Sequence, residues 1–273
     1  AVPRARRARA AAPHGAQAVW RAFAILGAFT DQRPSWTLAE VAKAQGLSKP
    51  TALRILSALE LAGYVARTGP AGAYRLGTAA IELGARAQRA TTVLAAARPE
   101  LEWLARESGE TASLEVLHAG ETLILDEVHG QHLLGTTPSI GTHWAAYATS
   151  TGKVLLAAER AGELEPSQAA QVRQDAPLRR FTDRTITNRA VLEAELDRVA
   201  AQGQGIVVGE LEPDFVAMAA PVRNHLGLVV AAISVGGPAG RLRTEARQRL
   251  SRLLRQATQR VSERLGWMPP SAR

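Results

Sequence analysis

Residues 37–64 constrain the fold of this chain most, because they read as a helix, a tight turn, a second helix and the start of a β-ribbon. Thr37 and Glu40 have the spacing of a capping box, in which the hydroxyl caps a backbone amide and the carboxylate returns to the cap. Gly46 supplies the left-handed backbone conformation that favours a short interhelical turn, and Ser48 is placed to cap the second helix. The pattern predicts a helix-turn-helix.

The second helix of this pair has an apolar side, formed by Leu53, Leu56 and Leu59, which we expect to be buried. In a helix-turn-helix, residues near the N-terminus of the second helix meet base edges in the major groove. The candidate DNA-binding residues on this helix are therefore Ser48, Lys49, Thr51 and Arg54.

The segment that follows this helix predicts a β-hairpin, with two short strands around the turn at Gly69 to Gly72. Arg67 and Arg75 lie on its two arms, which makes both of them candidates for contact with the DNA backbone or minor groove. An additional helix is indicated before the helix-turn-helix by Val19, Phe23, Leu26 and Phe29. Three helices that end in such a hairpin predict a winged helix-turn-helix domain over residues 17–77.

The charge distribution supports DNA binding independently. The chain carries a net charge of +8, and residues 1–92 hold 13 Lys and Arg against four acidic residues. The remaining residues hold 20 basic and 21 acidic side chains, so the whole basic excess lies on the helix-turn-helix part. A phosphate-binding surface needs such an excess.

Several other classes of protein are disfavoured. Cysteine is absent and the six histidines show no helical i, i+4 pair, so we expect no metal site, no cofactor and a reducing, cytoplasmic location. The longest apolar run, 226–235, is too short to span a membrane, and residues 1–16 predict a disordered basic arm. The TSTGK sequence lacks the Gly and the final Ser or Thr of a P-loop, so we expect no enzyme and assign no catalytic residue.

Beyond an Ala-rich linker helix predicted for residues 78–92, the pattern becomes mixed α and β, which predicts a second domain over residues 93–273. A charged loop around Glu210, Glu212 and Asp214 is expected to be solvated. Helices and paired strands are expected at 94–108, 113–128, from Ser150 onward, 187–203, 217–238 and 241–266.

Taken together, the chain resembles the isocitrate lyase regulator (IclR) family of bacterial transcription regulators. The resemblance covers nearly all of residues 17–266, and its landmarks are LAEVAKAQGLSKPTALRILSALELAGYV, YRLG, YATSTGKVLLA, RTITN and AAPVRNHLGLVVAAISVGGP. It implies an α+β chain of two domains, with an N-terminal winged helix-turn-helix, a linker helix and a C-terminal GAF-like α/β domain that binds a small metabolite. It also implies dimers or tetramers that bind double-stranded DNA at a pseudo-palindromic operator.

The resemblance places the effector-binding residues at Ser150, Thr151, Val207, Ala217, Ser234 and Gly236. Members of the family that bind small carboxylates have Asp, Cys and Ser where this chain has Val207, Ala217 and Gly236. The loss of these polar groups favours a larger and more apolar carboxylic acid, held with its acid end at Ser150 and Thr151. It leaves open a second interpretation, in which the C-terminal domain only oligomerises and binds no effector.

Overall fold

The computed structural model of the protein describes residues 16–30, 32–69, 72–90, 92–131, 139–170 and 177–268. Nearly all of the basic arm predicted for residues 1–16 lies outside the described residues. The chain divides into two compact units, Ala1–Ala90 and Thr91–Arg273, which are taken in turn.

The first unit is a winged helix-turn-helix. Its helices are α1 (Gln17–Leu26), α2 (Leu38–Gln45), α3 (Lys49–Leu61) and α4 (Thr78–Ala90), and its strands are β1 (Ser35–Trp36), β2 (Val65–Thr68) and β3 (Ala73–Leu76). The three strands pair antiparallel in the order β1-β3-β2. Its core is formed by α1, α2, α3 and the sheet, and includes Ile25, Phe29, Val41, Leu56, Val65 and Tyr74.

The local signals of the helix-turn-helix are confirmed. The amide of Thr37 donates to Glu40 at 2.8 Å and the Glu40 amide donates back to the Thr37 hydroxyl, which completes the capping box. Gly46 ends α2 with a φ of +61°, and the Ser48 hydroxyl accepts from the Thr51 amide at 3.3 Å. Both helix ends at the turn are therefore specified by residues within the turn itself.

The buried side predicted for the second helix of the helix-turn-helix was partly wrong. In α3 the buried positions are Ala52, Leu56 and Leu59, and Leu53 is 40 % exposed. Because 52, 56 and 59 follow helical spacing, Leu53 lies at the edge of the buried stripe. In α1 the buried residue is Ile25, whereas Val19 and Phe23 are exposed.

The second unit is built on one antiparallel sheet of six strands. The strands are β4 (Thr111–His118), β5 (Glu121–Val128), β6 (His143–Ala145), β7 (Gly205–Val208), β8 (Phe215–Arg223) and β9 (Val229–Pro238), in the order β6-β5-β4-β9-β8-β7. The helices are α5 (Thr92–Ser108), a 3-10 turn (Ala146–Ala148), α6 (Ser150–Arg160), α7 (Pro166–Ala169), α8 (Arg189–Gln202) and α9 (Thr244–Arg264).

Helices cover both faces of this sheet. One face, with Leu114, Met218 and Ile233, packs against α5 and α9. The other face, with Leu117, Ala219 and Ala232, packs against α6 and α8. Because both faces are covered, β9 is buried along nearly its whole length and β4 along most of its length, although the sequence of β4 and β5 predicts strands that alternate between a core face and solvent.

Two glycines allow α6 to approach its neighbours closely. A Cβ atom on Gly205 would lie 2.6 Å from the carbonyl oxygen of Ser150, and one on Gly152 would overlap the backbone of Ala146. The first turn of α6 is therefore held against β7 on one side and the preceding 3-10 turn on the other.

Candidate DNA-binding surface and effector site

The N-terminal half of α3 presents two free basic side chains. Lys49 and Arg54 are exposed, and neither forms a hydrogen bond or an ion pair with any other residue that the structure describes. The hydroxyls of Ser48 and Thr51 lie 2.8 Å apart and close the helix end. Lys49 and Arg54 are thus available to an external anion, whereas Ser48 and Thr51 also have a structural role.

A groove of about 330 Å³ lies beside these residues, between α2, the start of α3 and the hairpin β2–β3. Exposed Leu53 lines it together with Lys49 and Arg67, so the helix and the hairpin contribute to one surface. An exposed leucine between basic side chains suits contact with an apolar base edge, such as a thymine methyl group.

The two arginines of the hairpin differ in their contacts. Arg67 is paired with Glu60 at 3.2 Å, and its guanidinium lies 5.3 Å from the centre of the Tyr74 ring. Arg75 is exposed and donates to the carbonyl of Leu76 at 3.3 Å. Arg67 is therefore partly neutralised within the protein, and Arg75 keeps its full charge at the surface.

The six candidate effector residues lie on one side of the second sheet. Val207, Ala217 and Gly236 stand directly opposite one another on β7, β8 and β9, and Ser234 precedes Gly236 by two residues, so all four share a face. Ser150 and Thr151 form the first turn of α6, which packs on this face through Gly205. The Phe215 ring occupies the space where a Cβ of Gly236 would stand.

A buried carboxylate that the resemblance did not indicate lies among these residues. Glu115 on β4 is 6 % exposed and accepts hydrogen bonds from the hydroxyls of Thr151 at 2.5 Å and Ser113 at 2.9 Å. The Ser113 hydroxyl is in turn 2.8 Å from that of Ser234. The network thus connects the first turn of α6 to the central strands β4 and β9.

The environment of Glu115 opposes its ionisation. Burial raises the pKa of the Glu115 carboxyl above its ordinary value, and hydrogen bonds from Thr151, Ser113 and Thr122 offset only part of that effect. The sequence carried one signal for this site, which is a single acid among the apolar residues Leu114, Val116 and Leu117.

A second buried charged cluster lies further along α6. Lys153 is fully buried, and its ammonium contacts Glu210 at 2.5 Å and Glu195 at 3.3 Å. The prediction of a solvated acidic loop was wrong for Glu210, which is 9 % exposed, although Glu212 and Asp214 are exposed. The ammonium of Lys153, rather than solvent, compensates the charge of Glu210, because the loop folds over α6.

The pKa shifts in this cluster have opposite signs. Burial raises the pKa of Glu210 despite the adjacent Lys153. Burial also acts to raise the pKa of Glu195, but hydrogen bonds from Arg198 and the charges of Lys153 and Arg198 overcome it, and the pKa is lowered. Because Lys153 lies on α6, Glu195 on α8 and Glu210 in the loop after β7, the cluster joins these three elements.

Neither a metal centre nor a membrane span is visible in the part of the chain that the structure describes. No group of three or more His, Asp or Glu side chains there has an arrangement that could hold a metal ion. None of the helices among those residues is both long and apolar enough to cross a membrane.

A capped helix-turn-helix with a basic hairpin, followed in the chain by an α/β unit whose sheet is covered by helices on both faces, is typical of a transcription regulator with two domains. The chain belongs to the IclR family. It matches the family model for the bacterial transcriptional regulator IclR C-terminal domain over residues 85–263, and that for the IclR helix-turn-helix domain over residues 18–69.

Relatives and solved structures agree with this assignment. The chain is 30 % identical to the HTH-type transcriptional regulator KdgR of Escherichia coli over 93 % of this chain and 95 % of KdgR. It is 29 % identical to the HTH-type transcriptional repressor AllR of Klebsiella pneumoniae over 94 % and 93 % of the two chains. An IclR homologue from Microbacterium hydrocarbonoxydans, solved in complex with 4-hydroxybenzoate, superposes with a TM-score of 0.78 at 25 % identity, over 91 % of this chain and 99 % of that one.

Proposed function

We propose that this protein is a sequence-specific transcription regulator that binds a pseudo-palindromic operator and is controlled by a small organic molecule. The observation that carries the proposal is the pair of free, exposed basic side chains, Lys49 and Arg54, on a helix whose N-terminus is fixed by Ser48. Such an arrangement suits insertion into the major groove. Action on chromosomal DNA would place the protein in the cytoplasm, and we propose no enzymatic role for it.

Operator selection from random duplexes, followed by fluorescence anisotropy with the selected site, tests DNA recognition. Arg54→Ala is expected to weaken the selected site by about 1–3 kcal/mol and to relax discrimination at one base position. Lys49→Ala is expected to weaken specific and random duplexes alike and to flatten the salt dependence by about one unit. Arg252→Ala, an exposed change on α9, is the matched control and should leave both affinities unchanged.

Equal losses on specific and random DNA for both variants would show that Arg54 does not read a base. Loss of affinity in Arg252→Ala as large as in Lys49→Ala would mean that the basic surface of α9, and not the helix-turn-helix, carries the charge interaction.

A palindromic operator requires a two-fold symmetric reader. We propose that the exposed apolar side of α1, where Val19 is 56 % and Phe23 63 % exposed, forms a dimer contact beside Trp20 and α4. Apolar residues exposed on both helices, including Ile81 on α4 at 72 %, support a contact that the isolated chain leaves uncovered. Light scattering should show a dimer or tetramer at micromolar concentration, and Phe23→Glu should shift it toward monomer.

The effector is proposed to bind beside the first turn of α6, among the candidate residues of β7, β8 and β9. The 4-hydroxybenzoate complex of the Microbacterium homologue supports a carboxylic acid with an aromatic body. The Thr151 hydroxyl already donates to Glu115, so the acid end would depend on Ser150 and on backbone amides of the first turn.

Thermal shift with a panel of metabolites distinguishes an effector-binding regulator from one whose C-terminal unit only oligomerises. A ligand at 100 times its Kd adds about 2.7 kcal/mol to the stability of the folded state. A ligand that produces a thermal shift and also changes operator affinity establishes an effector-binding regulator. A panel that produces neither a thermal shift nor a change in operator affinity favours a C-terminal unit that only oligomerises.

A further inference from the structure

The hydrogen-bond network around Glu115 has a defined direction when the carboxylate is ionised. An ionised carboxylate only accepts, so Thr151 donates to one oxygen and Ser113 to the other. A serine hydroxyl has a single hydrogen, and that of Ser113 is directed to Glu115. At the 2.8 Å contact between Ser113 and Ser234, the hydrogen must therefore come from Ser234.

The hydroxyl hydrogens of Thr151 and Ser234 are consequently both committed to the network, directly or through Ser113. What these two hydroxyls can still offer to a ligand is lone pairs, so this part of the site accepts hydrogen bonds. No Lys or Arg contacts Glu115 within the described part of the chain. A second carboxylate placed here would meet acceptors and an uncompensated negative charge, which is unfavourable in a buried site.

We propose that Glu115 is ionised in the effector complex and that the effector presents a hydrogen-bond donor, either a hydroxyl or a protonated amine, to Ser234, Thr151 and Glu115. Glu115 is then the specificity-determining residue of the site, because it sets the direction in which the surrounding hydroxyls point. This inference rests on the proposed function, since it names the ligand class of the same effector site.

Ser150, the residue before Thr151, can donate a hydrogen bond to a ligand, whereas Thr151 and Ser234 can only accept one. Ser150 is 2 % exposed, and its hydroxyl forms no hydrogen bond with a described residue, so it remains free to donate. A carboxylate on the effector belongs at this position, with the amides of the first turn of α6. The site therefore fits a hydroxy acid or an amino acid, with the acid at Ser150 and the donor at Glu115.

Calorimetry on the full chain with two matched series of acids tests this assignment. One series is benzoate, 4-hydroxybenzoate and terephthalate, and the other is hexanoate, 6-hydroxyhexanoate and adipate. In at least one series the hydroxy acid should bind about tenfold tighter than its parent acid, the size expected for a hydrogen bond to a charged group. The diacid should bind no tighter than the parent.

Glu115→Gln makes the test specific to this residue, because the amide can donate where the carboxylate only accepts. The preference for the hydroxy acid over the diacid should shrink or reverse. Ser234→Ala should reduce the advantage of the hydroxy acid without favouring the diacid, and Glu102→Gln, an exposed change on α5, should keep the wild-type order. If a variant does not fold, the comparison of the six acids on the wild type still tests the proposed ligand class.

A diacid that binds tightest to the wild type, or a hydroxy acid no better than its parent in both series, would overturn the inference. An unchanged order in Glu115→Gln would overturn the role of Glu115. If none of the six acids binds, the inference fails for these ligands, and operator affinity measured on the same preparation shows whether the regulator function fails with it.

Discussion

Replacement of Lys153 by Met tests whether the second unit depends on its buried ion cluster. Met has nearly the same length as Lys and no charge, so the change removes the ammonium with little change in packing volume. Lys153 is fully buried, and its nitrogen lies 2.5 Å from Glu210 and 3.3 Å from Glu195. Removal of one partner from a buried ion pair leaves an uncompensated charge and typically costs about 3–5 kcal/mol.

Most of that loss should arise at Glu210. Glu195 keeps two hydrogen bonds from Arg198, at 2.7 and 2.9 Å. Glu210 would lose the Lys153 ammonium, which donates to its Oε1, and its Oε2 atom has no hydrogen-bond partner among the described residues. Lys153→Met combined with Glu210→Gln should therefore be less destabilised than the sum of the single variants, with a coupling of about 1–3 kcal/mol.

Urea unfolding followed by circular dichroism measures these changes in the transition of the second unit. Arg160→Met is the matched control on the same helix, since Arg160 and its partner Asp197 are 40 % and 69 % exposed, and surface pairs contribute about 0–1 kcal/mol. If Lys153→Met lost no more stability than Arg160→Met, the argument that the cluster stabilises the unit would be refuted.

Three further predictions concern other parts of the chain. Because burial raises the pKa of Glu115, the folded state binds its proton more tightly than the unfolded state, and this contribution to stability is lost as pH rises from 4.5 through the raised pKa. The melting temperature of wild type should thus fall relative to Glu115→Gln over that range, and parallel profiles would contradict the raised pKa. Thr37→Ala removes the capping hydroxyl of α2 and should lower the unfolding free energy of the first unit by about 1 kcal/mol, measured by urea titration. Gly205→Ala places a Cβ 2.6 Å from a backbone oxygen and should cost about 1–3 kcal/mol in thermal unfolding, whereas Gly240→Ala, with open space around it, should be neutral.

The helix-turn-helix could be predicted nearly completely because its signals are local. The capping box at Thr37 and Glu40, the left-handed Gly46 and the cap at Ser48 each act within four residues, so the sequence alone specifies where α2 and α3 begin and end. Leu53 was misplaced because its burial depends on how α3 rests on α1 and α2, which the period of a single helix does not determine.

The strands of the second unit were also predictable, but their arrangement was not. The turn at Ala119 and Gly120 and the turn near Gly227 indicated two hairpins. The pairing of β4 with β9, which brings Ser113 opposite Ser234, joins residues more than 100 positions apart and has no local signal. The role of Glu115 depends on that pairing, as the role of Glu210 depends on Lys153 from a distant helix.

The glycine contacts of α6 restrict how this site can diverge during evolution. Any side chain at Gly152 would displace the 3-10 turn, and any side chain at Gly205 would move α6 away from β7. Neither glycine can therefore be replaced without a change in how α6 packs. If the effector binds at the proposed site, new ligand preferences would therefore arise at other residues on this face of the sheet, such as Glu115 and Ala217. A saturation mutagenesis library selected only for folding should tolerate many residues at Ala217 and almost none at the two glycines, which separates the residues that hold α6 in place from those of the proposed site that can change.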